Sequence, residues 1–396
     1  MKALLLYKRN LLEISHLCLV LLIFSINMNG ANLFHTKEIS FFLFLLVSLP
    51  FGSYKNLLPL LTMIAIYFFS LIANFTNPYM NLSQGLRYSM GLMYLVLLVF
   101  SNQQYASVII KSYFISALIV GIMTVFLWIV CKIFPVLKAA FLVCFNSVDT
   151  GEYAFLFMIR DRKILNWWIP GVYYCTAPSM IPALAYSLYY TYKTKSWKYI
   201  FSAVVLTAGL ILTMARANIL AALAINFFYI CIRQLKKKQM TTFFLILCVS
   251  LCLSVLIVFL FLSDKSEASL SVKTLHKLSY RKEFDSNLFK FFLTGWGAGS
   301  QFYSSGYREW TYITELSLYE TIRRYGLVST IIIFLGIWLS PLVYFCKRRK
   351  HLSDMFFWAG AFFAYLFVAC TNPFLLGSIG FCALLFMATV LKYQTE

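Results

Sequence analysis

A single arginine interrupts an otherwise apolar stretch: Arg216, in Leu212-Thr-Met-Ala-Arg-Ala-Asn218, stands between two long hydrophobic runs. Every other lysine or arginine lies in a loop or near the end of such a run. A cation at membrane depth costs about 2.5–3.5 kcal/mol on insertion scales, so such residues usually face a cavity, a partner or a ligand. Arginine suits an anionic ligand, because its planar fork binds phosphate in bidentate fashion better than lysine does. The plainer alternative is an arginine that snorkels to the interface and caps its helix.

Acid is unevenly placed. Seven of the 14 carboxylates fall within 263–324, beside nine cations. There Ser269 to Phe292 reads as one or two amphipathic helices, with Leu270, Val272, Leu275, Leu278, Phe284, Leu288 and Phe292 forming an apolar stripe. Arg281 sits on the polar face, where alone it is a solvated charge. It gains interest from the residues downstream of it. These are Gly295-Trp-Gly-Ala-Gly299, a flexible turn, and then an aromatic stretch with Tyr303, Tyr307, Trp310 and Tyr312. Glu315 and Glu320 stand five apart on a predicted helix, about 500° of rotation, so they diverge by about 140°. Glu320 has Arg323 and Arg324 at i+3 and i+4 and reads as a structural ion pair. Glu315, farther from the membrane and nearer the aromatic residues, is the more interesting of the two, the plainer reading being a solvated or salt-bridged glutamate. Arg87, after Asn81-Leu-Ser-Gln-Gly-Leu86, reads either as an interfacial anchor or as a further anion contact. Of the four histidines only His276 lies in this segment, and no His/Asp/Glu cluster has metal-ligand spacing. The expectation is a mechanism with no metal and no cofactor.

These groups need a membrane to hold them. The chain of 396 residues is 61% hydrophobic with mean hydropathy +0.78, which excludes an ordinary soluble protein. Twelve runs read as transmembrane helices, at roughly 10–29, 39–54, 57–74, 87–103, 108–130, 168–191, 199–215, 217–232, 241–262, 325–346, 353–371 and 374–391. The basic start is read as an uncleaved first helix rather than a signal peptide. With both termini cytoplasmic, Lys2, Lys8, Arg9, Lys193, Lys195, Lys198, Arg233, Lys236, Lys237, Lys238 and Lys347-Arg-Arg-Lys350 lie inside. The short outer connections then hold only Lys37, Arg87 and Arg216. The net charge of +20 is largely this asymmetry plus contact with anionic lipid, and the basic runs are too short and too close to span ends for nucleic acid. Two long segments, 131–167 and 263–324, fall outside. The first carries Arg160 and Arg162, and Ala139–Phe145 and Tyr153–Ile159 could lie in the interface as helices. Its Cys131 and Cys144 could form a disulfide in an oxidising compartment. No soluble domain or tandem repeat is found, so 1–396 is one membrane domain.

The order of these pieces resembles a family. Leu206 to Leu220, with its Leu-Thr-Met-Ala-Arg-Ala-Asn core, resembles the hydrophobic–Thr–Ser–Arg–Gly span end of bacterial O-antigen ligases and Wzy-type O-antigen polymerases. Arg281 and Leu293-Thr-Gly-Trp-Gly-Ala-Gly299 are similar to that family's arginine and Gly-x-Gly-x-Gly turn. Counting back from Gly326 puts Glu315 at the ligase histidine and Leu316 beside it, with Ser329 at the small position. The resemblance covers 205–345; the missing histidine points away from ligation and toward the polymerase branch. It implies an all-α polytopic protein of GT-C-like architecture in the bacterial inner membrane, with a periplasmic active site. The implied reaction moves a growing glycan from undecaprenyl diphosphate onto a lipid-linked repeat unit, releasing the diphosphate. Glu315, Arg216 and Arg281 would be catalytic. Arg87, Arg160, Arg162, Tyr303, Tyr307 and Trp310 would bind substrate. Expected partners are undecaprenyl-diphosphate-linked oligosaccharides, membrane lipids and, as a candidate, a chain-length regulator protein. A lipid-linked oligosaccharide flippase or an O-antigen ligase is the alternative, the long 263–324 segment counting against the flippase. An acyltransferase or secondary transporter should show a His/Arg motif or repeat symmetry, and neither is found.

Overall fold

The computed structural model describes residues 2–25, 36–53, 57–75, 77, 79–146, 157–164, 167–174, 176–236, 267–312, 314, 316–348, 351–372 and 375–393. In chain order the first half holds α1 (Lys2–Ser25), α2 (Thr36–Ser48), α3 (Leu58–Asn74), α4 (Leu82–Met93, continued as a tighter helix to Phe100), α5 (Ala106–Ile133) and α6 (Pro135–Asn146). A hairpin of β1 (Phe157–Ile164) and β2 (Trp167–Tyr174) leads to α7 (Met180–Thr194), α8 (Trp197–Leu212) and α9 (Arg216–Lys236). After 266 come α10 (Glu267–Ser286), a wide turn at Lys290–Thr294, a small hairpin of β3 (Phe302–Ser304) and β4 (Glu309–Thr311), and α11 (Ser317–Tyr325). The chain ends in α12 (Leu327–Ile332, extended to Trp338), α13 (Ser340–Arg348), α14 (Leu352–Thr371) and α15 (Ser378–Tyr393).

The protein is mostly helical, and its helices are those of a membrane protein. By length and composition four described stretches can cross a bilayer: Leu82–Phe100, Ala106–Ile133, Arg216–Gln234 and Leu352–Thr371. The pair α12–α13, bent by 44°, makes a fifth if counted as one span. Asn10–Ser25, Leu58–Ala73, Trp197–Leu212 and Ser378–Tyr393 are apolar but shorter. Of the twelve expected spans, 241–262 lies outside the described residues.

The expected sixth span, 168–191, needs correction. Its first third is β2, paired antiparallel with β1 so that Pro170 faces Asp161 and Trp168 faces Lys163. Pro170 and Gly171 oppose helix, while the aromatic and β-branched residues around them favour a strand. The helix starts only at Met180. Cys131 is a buried free thiol, and the side chain of Cys144 lies outside the described residues.

The core gathers around α5. Tyr113 stacks on Phe386 of α15 at 4.3 Å between ring centres. Gly121 of α5 and Gly209 of α8 let their helices nearly touch: a Cβ at Gly209 would lie 3.2 Å from the Gly121 Cα. Small residues at such crossings are the usual device for close helix packing in lipid. On the other flank α9 packs on α14, where Phe228 lies over Gly360 and meets Phe356 edge-on at 5.2 Å.

Candidate functional site

The centre of the candidate site is a buried carboxylate shared by two arginines. In α11 the spacing Glu320, Arg323, Arg324 puts all three on one helix face, and all three are buried. Glu320 Oε1 accepts from Arg323 Nη2 at 2.7 Å and Arg324 Nε at 2.6 Å. Its Oε2 accepts from Arg323 Nε at 3.1 Å and from the Tyr280 hydroxyl of α10 at 2.7 Å. The ion pair expected from sequence at i+3 and i+4 is therefore present. Arg323 has further partners: Nη1 donates to Ser300 Oγ at 2.6 Å, and Nη2 donates to the carbonyls of Ser300 at 3.1 Å and Tyr312 at 3.2 Å. Its guanidinium also covers the Phe302 ring at 4.7 Å. Arg324 Nη2 reaches the Tyr312 carbonyl at 3.2 Å. Burial alone would raise the pKa of Glu320, but Arg323 and Arg324 outweigh it and hold the carboxyl below the usual range. One carboxylate against two guanidiniums leaves one net positive charge. Glu283 of α10 is pushed the other way, upward, by burial.

Thr314 completes the cluster, its hydroxyl lying 2.8 Å from Tyr280 Oη, with the Leu316 amide donating to it at 3.2 Å. Removing the Tyr280 hydroxyl in Tyr280→Phe should cost about 1.5–3 kcal/mol, the usual range for a hydrogen bond to a charged group, read as a lowered thermal midpoint.

The glycine run was expected to be a flexible turn; it is a buried seam. Residues 295–300 are all buried. Trp296 N donates to the Arg323 carbonyl at 2.7 Å, and a Cβ on Gly295 (φ 66°) would strike the Arg324 carbonyl. Gly299 lies against Asn81, where any side chain would meet the Asn81 carbonyl. Asn81 N donates to the Gly299 carbonyl at 3.0 Å and Gln301 N to the Tyr79 carbonyl at 3.2 Å. Asn81 Nδ2 also donates to the Tyr312 hydroxyl at 3.1 Å. Asn81 thus serves twice, since its Oδ1 caps α4 by accepting from Gln84 N at 3.3 Å.

On this seam stands an exposed aromatic platform. Tyr79 packs on Trp310 at 4.6 Å, and Tyr303 meets Trp310 edge-on at 6.2 Å. All three are about half exposed, at 55%, 48% and 49%. Tyr307 (42% exposed) lies apart, edge-on to His276 at 4.4 Å. His276 is buried within 2.8 Å of Ser304 Oγ.

Below the seam, α2, α3 and α4 enclose a half-open groove of about 420 Å³, lined by Phe41, Leu45, Met63, Tyr67, Leu92 and Val96 among other apolar residues. The Tyr67 hydroxyl donates to the Gly85 carbonyl at 2.7 Å. About one turn further along α3, Ser70 Oγ donates to the Arg324 carbonyl at 3.0 Å. Groove and charged cluster therefore share a wall.

The predicted residues fare unequally. Tyr303 and Trp310 come together. Arg216 is half-buried at the first turn of α9, after a tight turn in which Met214 has φ 50° and Thr213 Oγ1 accepts from Asn218 Nδ2 at 3.3 Å. Arg281, next to inward-facing Tyr280, points away from the cluster and pairs with Asp285 at 3.7 Å. Glu315 and the side chains of Arg87, Arg160 and Arg162 lie outside the described residues. Tyr79 and Asn81 were not signalled, because Trp310 and Tyr312 lie more than 200 residues away in sequence; Ser300 was not, because its contact with Arg323 depends on the fold of the glycine seam. Among the described residues no group of three or more His, Cys, Asp or Glu could hold a metal ion. Comparison with family models, characterised proteins and solved structures gave no match to this chain.

Proposed function

We propose that this chain is a metal-independent membrane glycosyltransferase of the Wzy type, an O-antigen polymerase acting at the periplasmic face of the bacterial inner membrane. The observation that carries this reading is the apolar groove of about 420 Å³ joined through Ser70 to a buried, net-positive cluster and topped by the Tyr79–Trp310–Tyr303 platform. A lipid-linked glycan has those three parts in that order: an isoprenoid tail, a diphosphate and sugar rings. The groove takes the tail, the positive field draws the diphosphate, and the aromatic faces carry the sugars.

In the orientation with both termini cytoplasmic, α9 begins and α14 ends on the outer side. Ser317 Oγ donates to the carbonyl of Asn372 at the end of α14, which brings α11 to that same outer end. Arg216 then faces the outer surface, where it holds the diphosphate and stabilises its departing charge, with Arg87 as a further contact. Glu315 takes the proton from the acceptor hydroxyl as that oxygen bonds to the anomeric carbon. The bond from that carbon to the diphosphate breaks, and the diphosphate leaves with the electron pair. The twelve-span, GT-C-like arrangement belongs to this reading, as do Arg160 and Arg162 as collectors of the lipid-linked acceptor and a chain-length regulator as partner. The Glu320–Arg323–Arg324 cluster is scaffold rather than catalyst, and Arg281 is not assigned to the leaving group.

The test is complementation of a strain lacking its polymerase, with lipopolysaccharide ladders read at equal expression. Arg216→Ala and Glu315→Gln should leave a single repeat unit, and Trp310→Ala should shorten the ladder. Wild-type ladders from all three variants would refute the proposal. Complete loss of surface sugar would point instead to the flippase or ligase.

A further inference from the structure

A second groove, of about 400 Å³, runs along α10, with Phe284 and Tyr319 standing between it and Tyr280 of the Glu320 cluster. Its floor is aromatic: Phe284 meets Phe291 at 5.0 Å and lies parallel to Tyr319 at 6.5 Å. Its rim carries Lys277 and Arg281 against one carboxylate, Asp285, leaving one net positive charge. Arg281 and Asp285 are 80% and 70% exposed and only loosely paired at 3.7 Å, so both can reach a ligand.

The groove opens beside a row of bare apolar side chains. Leu288, Phe289, Phe292 and Leu293 are 61%, 65%, 47% and 49% exposed. Four such residues within six positions form an exposed apolar row of the kind that marks a membrane or partner contact. Their level is set by the fold: the Leu293 carbonyl sits against Gly326, where a Cβ would come within 2.6 Å of it. Gly326 opens α12, the first half of the bent candidate span. The row therefore lies where that helix enters the bilayer, which is where an amphipathic segment buries its apolar face.

We infer that this groove docks the headgroup of a singly charged bilayer phospholipid whose headgroup carries a hydroxyl, as in phosphatidylglycerol. The phosphodiester sits between Lys277 and Arg281, the headgroup hydroxyl donates to Asp285, and the acyl chains run over Leu288 and Phe292. A single negative charge matches the single net positive one, whereas a diphosphate would meet added repulsion from Asp285. The bound lipid fixes α10 on the membrane surface and so steadies Tyr280 under Glu320. The site is independent of the glycosyltransferase reading.

The experiment uses the full chain reconstituted into vesicles of equimolar phosphatidylcholine and phosphatidylglycerol, extracted in detergent and weighed intact to count retained lipids. Wild type should retain phosphatidylglycerol in preference. Lys277→Ala with Arg281→Ala should lower that retention by about five-fold per cation removed, the effect of one basic residue near a membrane surface. Lys195→Ala with Lys198→Ala, on the opposite side, should change nothing at this site. Phe292→Ser keeps every charge and should still weaken retention. Equal phosphatidylglycerol retention by wild type and the Lys277/Arg281 variant would overturn the inference. So would displacement of the lipid from wild type by farnesyl diphosphate, which would assign the groove to diphosphate-bearing lipids.

Discussion

Glu320→Ala should loosen the whole region of α10, α11 and the glycine seam, with a loss of about 3–5 kcal/mol, because breaking a buried ion pair from one side leaves uncompensated charge. Here the loss strands two guanidiniums at once, Arg323 and Arg324, both of them buried. Glu320→Gln should lose nearly as much despite its matching shape, since the charge is what the arginines require. Thermal unfolding of the purified protein reads the effect, and proteolysis at 300–312 reports its location. The pH dependence has a definite sign. The folded carboxyl is held below its ordinary value, so its contribution is complete above about pH 4.5 and fades as the pH falls through the lowered value. Glu283, raised by burial, contributes in the reverse sense, its stabilisation fading as the pH rises through its folded value. Acid unfolding below about pH 4.5 should therefore be steep in wild type and shallower in Glu320→Gln. An unchanged midpoint in both variants would show that the cluster does not hold the region together.

Gly295→Ala should be the next most damaging change. The backbone there has φ 66° and ψ −173°, a region that essentially only glycine occupies. A Cβ would also strike the Arg324 carbonyl and come within 2.6 Å of the Tyr325 amide nitrogen, neither of which is a flexible side-chain end. Strain of about 1–2 kcal/mol and overpacking of about 1–3 kcal/mol add to about 2–5 kcal/mol. The expected result is a lowered melting temperature, together with loss of the glycan transfer proposed above. Gly336→Ala, where nothing lies within 4 Å of the new Cβ, is the matched control. Equal behaviour of the two variants would contradict the packing described for the seam.

Most helices were legible because long apolar runs announce themselves; α3, α5, α8, α9 and α14 lie close to their expected bounds. Two features were hidden for physical reasons. The strand at Trp167–Tyr174 is as apolar as a span, and only Pro170 and Gly171 argue against helix. The glycine run has the composition of a loose loop, and its rigidity comes from backbone neighbours at Asn81 and Arg324 that no local pattern reveals. At the site, the Glu320–Arg323–Arg324 pairing was legible, because i+3 and i+4 neighbours share a helix face. The meeting of Tyr79 with Trp310 was not, since it depends on the bridge between Met80 and Ser300. Arg281 was given weight by its place in an ordered series of motifs, but which way a helical residue faces is settled by its neighbours. Tyr280, one position earlier, faces inward.

Helix α3 has two attachments of different kinds. Along its flank it walls the groove through Met63 and Tyr67, and near its C-terminal end Ser70 grips the main chain of Arg324. A bulky guest that wedges α3 away from α2 would tug on the peptide unit between the buried arginine pair and Gly326. A loaded and an unloaded groove would then differ in the pull on the neighbouring Glu320 cluster, with the hydroxyl-to-carbonyl bond of 3.0 Å as the tether.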